Sequence, residues 1–293
     1  MNNYIMVTPA KNEEKCLPDV IRSVDMSTLT PKLWVIVDDN STDNTPDILR
    51  DGSKKHAYLE VLSMDEESSR DLTYHYSYVC KRGFDHAIKL AQERNIDWDY
   101  IVLLDADTTV EPIYFEGIIH KMNSSPKIGI SSGDVHIKKD EQLILIDALK
   151  DVPSGTGRIW KSKCFYETGG YSITPSPDSI SRVKAHLKGW ETIRYSEYNA
   201  YQLRETSSAE GLWKGFVILG KSFYFLNKHP LLILINAISY TTKKPHYTSI
   251  AFLFGYLNSF IRNENQIDDE EIRDYYWNTR LKELFLTFRQ RFI

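Results

Sequence analysis

The chain has 293 residues, 42% of them hydrophobic and 26% charged, with 36 basic against 40 acidic side chains for a net charge of −4. That length buries a full hydrophobic core without disulfide or metal staples. A near-neutral average excludes a general nucleic-acid binder, which carries a strongly basic face, and taken alone it argues against a membrane partner.

In chain order, the first hundred residues alternate strand-like and helix-like segments. Tyr4 to Val7 is an apolar run that ends at Thr8-Pro9, after which Leu17, Val20, Ile21 and Val24 recur at helical spacing. Leu33 to Val37 is a second run, stopping at Asp38-Asp39-Asn40-Ser41-Thr42-Asp43; a helix capped by Thr45, with Pro46 in its first turn, should follow. Tyr58 to Leu62 predicts a third strand, Asp65 to Tyr78 a long polar and aromatic loop over a ligand, and Phe84 to Glu93 a helix. Tyr100 to Leu104 predicts a fourth strand, ending at Asp105-Ala106-Asp107. Further on come turns at Gly155, Gly157, Gly169 and Gly170, a helix from about Ser179 to Leu187, and an alternating segment from Thr192 to Leu203. Repeated strand-helix-strand order implies a mainly parallel sheet with helices on both faces. Ligands of such sheets collect beyond the carboxyl ends of the strands, where Thr8, Asp39, Asp105 and Asp107 all fall.

Two carboxylates one residue apart at an exposed strand end suit a hard cation, Mg²⁺ or Mn²⁺, that shares its coordination with phosphate oxygens. Read alone, the same pair also fits a solvated acidic turn. Context separates the two. Thr8-Pro9-Ala10-Lys11-Asn12-Glu13, then Val37-Asp38-Asp39-Asn40-Ser41-Thr42-Asp43, then Leu104-Asp105-Ala106-Asp107 resemble, in this order and spacing, the nucleotide-binding half of glycosyltransferase family 2. Gly169-Gly170-Tyr171, followed by Asp178 and a helix ending at Gly189-Trp190, resembles the acceptor side of the same family. The usual Glu-Asp pair there reads Pro177-Asp178 here, which leaves a single carboxylate.

The resemblance implies a GT-A fold: a mixed, mainly parallel α/β sheet flanked by helices. It implies transfer of a sugar, with inversion, from a nucleoside diphosphate donor to an acceptor hydroxyl; Asp39 at the base-binding position slightly favours UDP over GDP, and the composition of the C-terminal region points to a lipid-linked or surface-glycan acceptor. By position, Asp107 with Asp105 would hold Mn²⁺ or Mg²⁺. Thr8, Pro9, Ala10, Asn12, Glu13, Asp39, Arg82, Asp105 and Ala106 would meet the donor, and Asp178 would be the general base. Read without the resemblance, Asp178 fits a helix cap and Arg82, beside Gly83, a surface cation. Ile101 to Val110 also fits the first motif of haloacid dehalogenase-like phosphohydrolases, with Asp105 and Asp107 as nucleophile and acid/base, and a catalytically inactive nucleotide-sugar-binding module is a further alternative. Gln202-Leu203-Arg204-Glu205 does not match the Gln-x-x-Arg-Trp motif of polymer-extruding members of the family, which disfavours processive synthesis.

Composition breaks at Gly211, so the expected organisation is a catalytic domain over 1–210, split into a donor half (1–110) and an acceptor half (111–210), followed by a helical region over 211–293. Residues 211–262 contain no Asp or Glu and carry a charge of +6, against −8 for 1–210 and −2 for the remainder. Basic residues interleaved with Trp213, Phe223, Tyr247, Phe254 and other aromatics suit helices lying in a membrane interface, while packing on the catalytic domain or against a second copy of the chain is the competing alternative. Asp268-Asp269-Glu270-Glu271 predicts a helix start leading into Trp277, Leu281, Leu284, Phe285 and Phe288. Cys16, Cys80 and Cys164 are scattered and odd in number, without zinc spacing, which points to a reducing compartment. The N-terminus shows no signal-peptide pattern, and the apolar runs Leu231 to Ile235 and Ile250 to Phe254 fall short of the roughly 18 to 20 residues that span a bilayer. The expected location is the cytoplasm, or the cytoplasmic face of a membrane.

Overall fold

The computed structural model describes residues 2–64, 72–139, 142–146, 149–204, 211–242 and 244–291, in two compact units, Met1–Glu205 and Thr206–Ile293. In the first unit the elements are β1 (Tyr4–Ala10), α1 (Leu17–Asp25), β2 (Leu33–Asp38), α2 (Thr45–Lys55), β3 (Leu59–Ser63), α3 (Leu72–Glu93), β4 (Tyr100–Leu103), β5 (Thr108–Val110) and α4 (Tyr114–Ser124). They continue with β6 (Ile128–Lys139), β7 (Gln142–Leu145), β8 (Arg158–Lys161), α5 (Ser162–Glu167), α6 (Pro177–Leu187) and β9 (Glu191–Gln202).

Among the described residues the strands form one sheet in the order β3-β2-β1-β4-β8-β6-β9-β5, with β7 added to β6. β3, β2, β1 and β4 are mutually parallel; β8 runs antiparallel to β4 and β6, and β9 pairs parallel to β6. The parallel strands are apolar at nearly every position because helices cover both faces. On one face Met6, Trp34 and Val102 pack against Val20 and Val24 of α1, Leu49 of α2 and Ile118 of α4. On the other, Val7, Val37 and Ile101 pack against Val79, Phe84 and Ala87 of α3. At Gly83 α3 lies tight against the sheet: a Cβ there would meet Val7 Cγ1 at 2.5 Å and Val37 Cγ2 at 2.7 Å.

Two local expectations need correction. α3 begins at Leu72, twelve residues before the expected Phe84, so Tyr74, His75, Tyr76 and Tyr78 are helical and not part of a loop; residues 65–71 lie outside the described residues. Thr45 is the first residue of α2 and not its cap: it is buried, and its Oγ1 accepts from the Glu13 amide (2.8 Å), while its own amide donates to Asp43 Oδ1 (2.9 Å).

The second unit contains α7 (Leu212–Phe225), α8 (Pro230–Thr241), α9 (Tyr247–Ile261), α10 (Glu270–Asp274), a π-helical turn (Tyr275–Thr279) and α11 (Arg280–Arg291). Phe223, Ile233, Ala237 and Phe252 form its core. Asp269 caps α10 by accepting from the Ile272 amide. Leu231, Leu234, Ile235 and Ile238 make an exposed apolar stripe on α8, and Tyr247, Ile250, Phe254, Leu257 and Ile261 another on α9. No helix of the described residues is long and apolar enough to cross a membrane.

Candidate active site

The loops that leave β1 and β2 are tied together at the carboxyl edge of the sheet. Asn12, in a left-handed conformation (φ 55°), donates its amide to Ser41 Oγ (3.0 Å) and accepts from the Thr42 amide at Oδ1 (2.7 Å). Glu14 Oε2 accepts from the amide and the side chain of Asn44 (3.1 and 2.9 Å). The crevice edge is therefore a braced double loop, and it carries Asp39 inward. Asp39 Oδ2 takes two partners, Lys11 Nζ at 3.1 Å and His75 Nε2 at 2.6 Å, so the carboxylate expected to meet the base is already charge-compensated and only 5% exposed.

Asp105 leaves β4 with its amide donating to Thr156 Oγ1 (3.0 Å) and its Oδ1 accepting from Tyr76 OH (2.6 Å). Burial pushes the Asp105 carboxyl up to about 7, and the charges of Asp107 and Asp178 push in the same direction. Asp107 accepts from Thr108 Oγ1 (3.3 Å) and, at Oδ2, from Arg204 Nε (2.9 Å). The other arm of Arg204 donates to Glu13 Oε1. Glu13 is buried, and burial first, then the neighbouring charges of Asp107 and Asp105, raise it to about 7 against the lowering pull of Arg204. Its Oε2 is buried without a hydrogen-bond partner.

Asp178 stands at the second position of α6, but its side chain does not cap that helix. Oδ1 accepts from Arg158 Nη1 at 2.8 Å, and Arg158, on β8, is only 1% exposed. A Cβ on Gly155 would come within 2.6 Å of Asp178 Oδ2, while the next residue, Thr156, is the one bonded to Asp105. Consecutive Cα atoms lie about 3.8 Å apart, so a single turn lies against the Asp178 carboxylate and bonds the Asp105 backbone amide.

The structure thus brings Glu13, Asp39, Asp105, Asp107 and Asp178 to one edge of the sheet. It places three expected contacts beneath that edge: Thr8 is fully buried with its Oγ1 accepting from Trp34 Nε1 (2.9 Å), and Ala10 and Ala106 are each 2% exposed. Pro9 is half-buried on β1, and Ala10 offers its carbonyl to the Asp39 amide (2.8 Å). Arg82 is not brought in: it is exposed in mid-helix two turns beyond His75, and among the described residues it has no bond to Asp39, Asp105 or Asp107. Sequence reasoning missed Tyr76, His75, Thr156, Arg158 and Arg204.

Among the described residues no three His, Cys, Asp or Glu side chains are arranged to hold a metal by themselves. Two carboxylates suffice for a cation that completes its shell with diphosphate oxygens, and Asp105 and Asp107 fit that donor set, with the unpartnered Glu13 Oε2 adding negative potential nearby.

Replacing Asp105 by Asn should stabilise the ligand-free protein. Its folded pKa lies above the unfolded value, so between about pH 4 and 7 the folded state binds the extra proton, and stability falls as pH rises across that window and is flat on either side. Asn removes this loss and keeps an acceptor for Tyr76. Thermal melts should show Asp105→Asn above wild type by a few degrees at pH 8, roughly 1–3 kcal/mol, and level with it near pH 4; a lower melting point at pH 8 would refute the assignment.

A sheet of this order, bearing its carboxylates at the ends of the parallel strands, defines a GT-A fold. The chain belongs to glycosyltransferase family 2, since the family described as Glycosyl transferase family 2 matches residues 5–175. That match includes Asp105 and Asp107, which removes the support for a phosphohydrolase. Among curated proteins, the chain is similar to poly-beta-1,6-N-acetyl-D-glucosamine synthases. It is 24% identical over 226 residues to one from Staphylococcus epidermidis, covering 69% of this chain and 50% of that protein. It is 23% identical over 258 residues to another from Staphylococcus aureus, covering 76% and 58%. The chain spans about half the length of these relatives. Among solved structures, the mannosyltransferase PcManGT from Pyrobaculum calidifontis, in complex with GDP-Man and Mn²⁺, has a TM-score of 0.59 at 13% identity, covering 90% of this chain and 88% of that one. Staphylococcus aureus TarS in complex with UDP-GlcNAc has a TM-score of 0.54 at 14% identity, covering 96% and 77%.

Proposed function

We propose that the protein is a metal-dependent, inverting glycosyltransferase that moves a sugar from a UDP-sugar to an acceptor hydroxyl. The observation that carries this reading is the single turn, Gly155-Thr156, that touches both Asp105 and Asp178. In this reading one acid serves the donor diphosphate and the other the acceptor, as a displacement needs. Asp107 and Asp105 would hold Mn²⁺ or Mg²⁺, which when bound neutralises the departing diphosphate. Asp178 takes the proton from the acceptor hydroxyl as its oxygen bonds to the anomeric carbon, and the bond to the diphosphate oxygen breaks on the opposite face. Arg158 fixes the position of Asp178 by holding Oδ1. Asp39, with Lys11 and His75, forms the base-side wall.

UDP is favoured over GDP because TarS was solved with UDP-GlcNAc and the curated relatives are named for polymers of N-acetyl-D-glucosamine, while PcManGT with GDP-Man supports the cation. Polymer synthesis is not carried over, since Arg204 lacks the tryptophan of the extruding members. The test is nucleotide release from a panel of UDP- and GDP-sugars with Mn²⁺, with the product anomer read by NMR. Release of UDP with an inverted anomer supports the reading. No turnover with any donor, despite an intact fold, would favour an inactive binding module.

The region 1–210 serves in this reading as the catalytic domain, and 211–293 as a peripheral anchor on an anionic membrane. The exposed stripes of α8 and α9, in a stretch free of acidic residues that includes Lys244 and Arg262, support a lipid surface; Lys243 lies outside the described residues. The protein should co-sediment with anionic liposomes at low salt and be released at high salt. Retention in the supernatant together with a concentration-dependent dimer would assign the stripes to a second copy instead.

A further inference from the structure

We infer that Arg204 is the resident counter-cation of the donor-free site, and that Arg204 and a divalent cation exclude one another at Asp107. The inference rests on the metal reading above and goes beyond it. The exit of β9 runs beside Asp107, whose carbonyl accepts from the Leu203 amide (2.8 Å). That places the next side chain over the carboxylates, and its guanidinium bridges Asp107 Oδ2 (2.9 Å) and Glu13 Oε1. Both carboxylate side chains are nearly buried, 8% and 7% exposed, whereas Arg204 is 44% exposed. A buried, charged acid left without a counter-charge is costly, so a cation beside Glu13 and Asp107 stabilises their charged forms when no ligand is bound. Among the described residues Arg204 is the one bonded to both.

Asp107 Oδ1 accepts from Thr108 Oγ1 (3.3 Å), so a divalent ion on Asp107 competes for Oδ2, the oxygen to which Arg204 Nε now donates. A doubly charged ion at that oxygen would meet the guanidinium at contact distance, where like charges repel, so the guanidinium must swing away. Its exposed side gives it a way out, and a donor diphosphate offers it a new partner. Arg204 therefore penalises binding of the bare ion and lifts the penalty when ion and diphosphate arrive together. It couples the two ligands, and coupling is reciprocal.

The test is titration of Mn²⁺, followed by the electron paramagnetic resonance signal of the free ion, into wild type, Arg204→Gln and Arg204→Lys, each with and without UDP. Arg204→Gln should bind Mn²⁺ alone about tenfold more tightly than wild type, with the enhancement by UDP reduced by a similar factor; Arg204→Lys, which keeps the charge, should stay within about threefold of wild type. Equal or weaker Mn²⁺ affinity in Arg204→Gln, while Asp107→Asn loses Mn²⁺ binding, overturns the inference and leaves the metal reading standing. If Asp107→Asn binds Mn²⁺ and UDP like wild type, the metal reading itself fails. Should Arg204→Gln not fold, wild type decides: UDP must raise its Mn²⁺ affinity at least about tenfold, and equal affinity with and without UDP overturns the inference.

Discussion

Asp107→Asn is expected to lower kcat/KM for sugar transfer by about a thousandfold or more, which corresponds to about 4 kcal/mol of lost transition-state stabilisation. The substitution keeps the volume and an acceptor for Thr108, which is 3.3 Å away, but removes the charge that would hold the cation. It also frees one arm of Arg204, leaving that residue bonded to Glu13. The fold should tolerate this, because Asp107 lies in the turn between β4 and β5, and β4 itself is held by apolar neighbours on both faces. Two readings are decisive: the rate in Mn²⁺, and the affinity for UDP in Mn²⁺ compared with EDTA. Wild type should lose affinity in EDTA, and Asp107→Asn should be weak in both. A variant with unchanged metal-dependent affinity would remove Asp107 from the cation site.

Asp178→Asn should separate binding from chemistry. Donor affinity should stay within a few-fold of wild type, while kcat falls by about 10² to 10⁴, the usual contribution of a positioned base. Stability should fall as well, because Arg158 is only 1% exposed and loses its charge partner. The cost should be modest, about 1–2 kcal/mol, since the Asp178 side chain is 42% exposed and water already screens the pair. Equal losses in donor affinity and rate would instead mean that the pair only holds the turn at Gly155 in place. Cutting the same turn from the other side gives a control: Thr156→Val removes the acceptor for the Asp105 amide but leaves Asp178 and Arg158 bonded.

The first hundred residues were legible because their strands announce themselves. Apolar runs at Tyr4, Leu33 and Tyr100 each stop at a polar cluster, and in a parallel sheet those stops share one edge, so Asp39, Asp105 and Asp107 could be placed together before any contact was known. The start of α3 was not legible. Tyr74, His75, Tyr76 and Tyr78 are poor or neutral helix formers, and only packing shows that the helix extends back to Leu72, where it turns Tyr76 toward Asp105 and His75 toward Asp39. Arg158 and Arg204 were beyond local reasoning for a different reason. Arg204 meets Asp107 across 97 positions and Glu13 across 191, so nothing in its neighbourhood marks it. It is followed by Glu205 and not by tryptophan, so no motif of the family marks it. In the helical region, composition gave the absence of acids, but only the helices resolve the apolar residues into the two stripes of α8 and α9.

The most direct test of the account is calorimetric titration of UDP-GlcNAc into the full chain, in Mn²⁺ and in EDTA, for wild type and Asp107→Asn. Saturable binding to wild type in Mn²⁺, weakened at least tenfold by EDTA or by the substitution, is the predicted result, about 1.4 kcal/mol or more of binding energy. Binding of equal strength in all four titrations, or none in any of them with the fold intact, would contradict a metal-dependent nucleotide-sugar site at the ends of these strands.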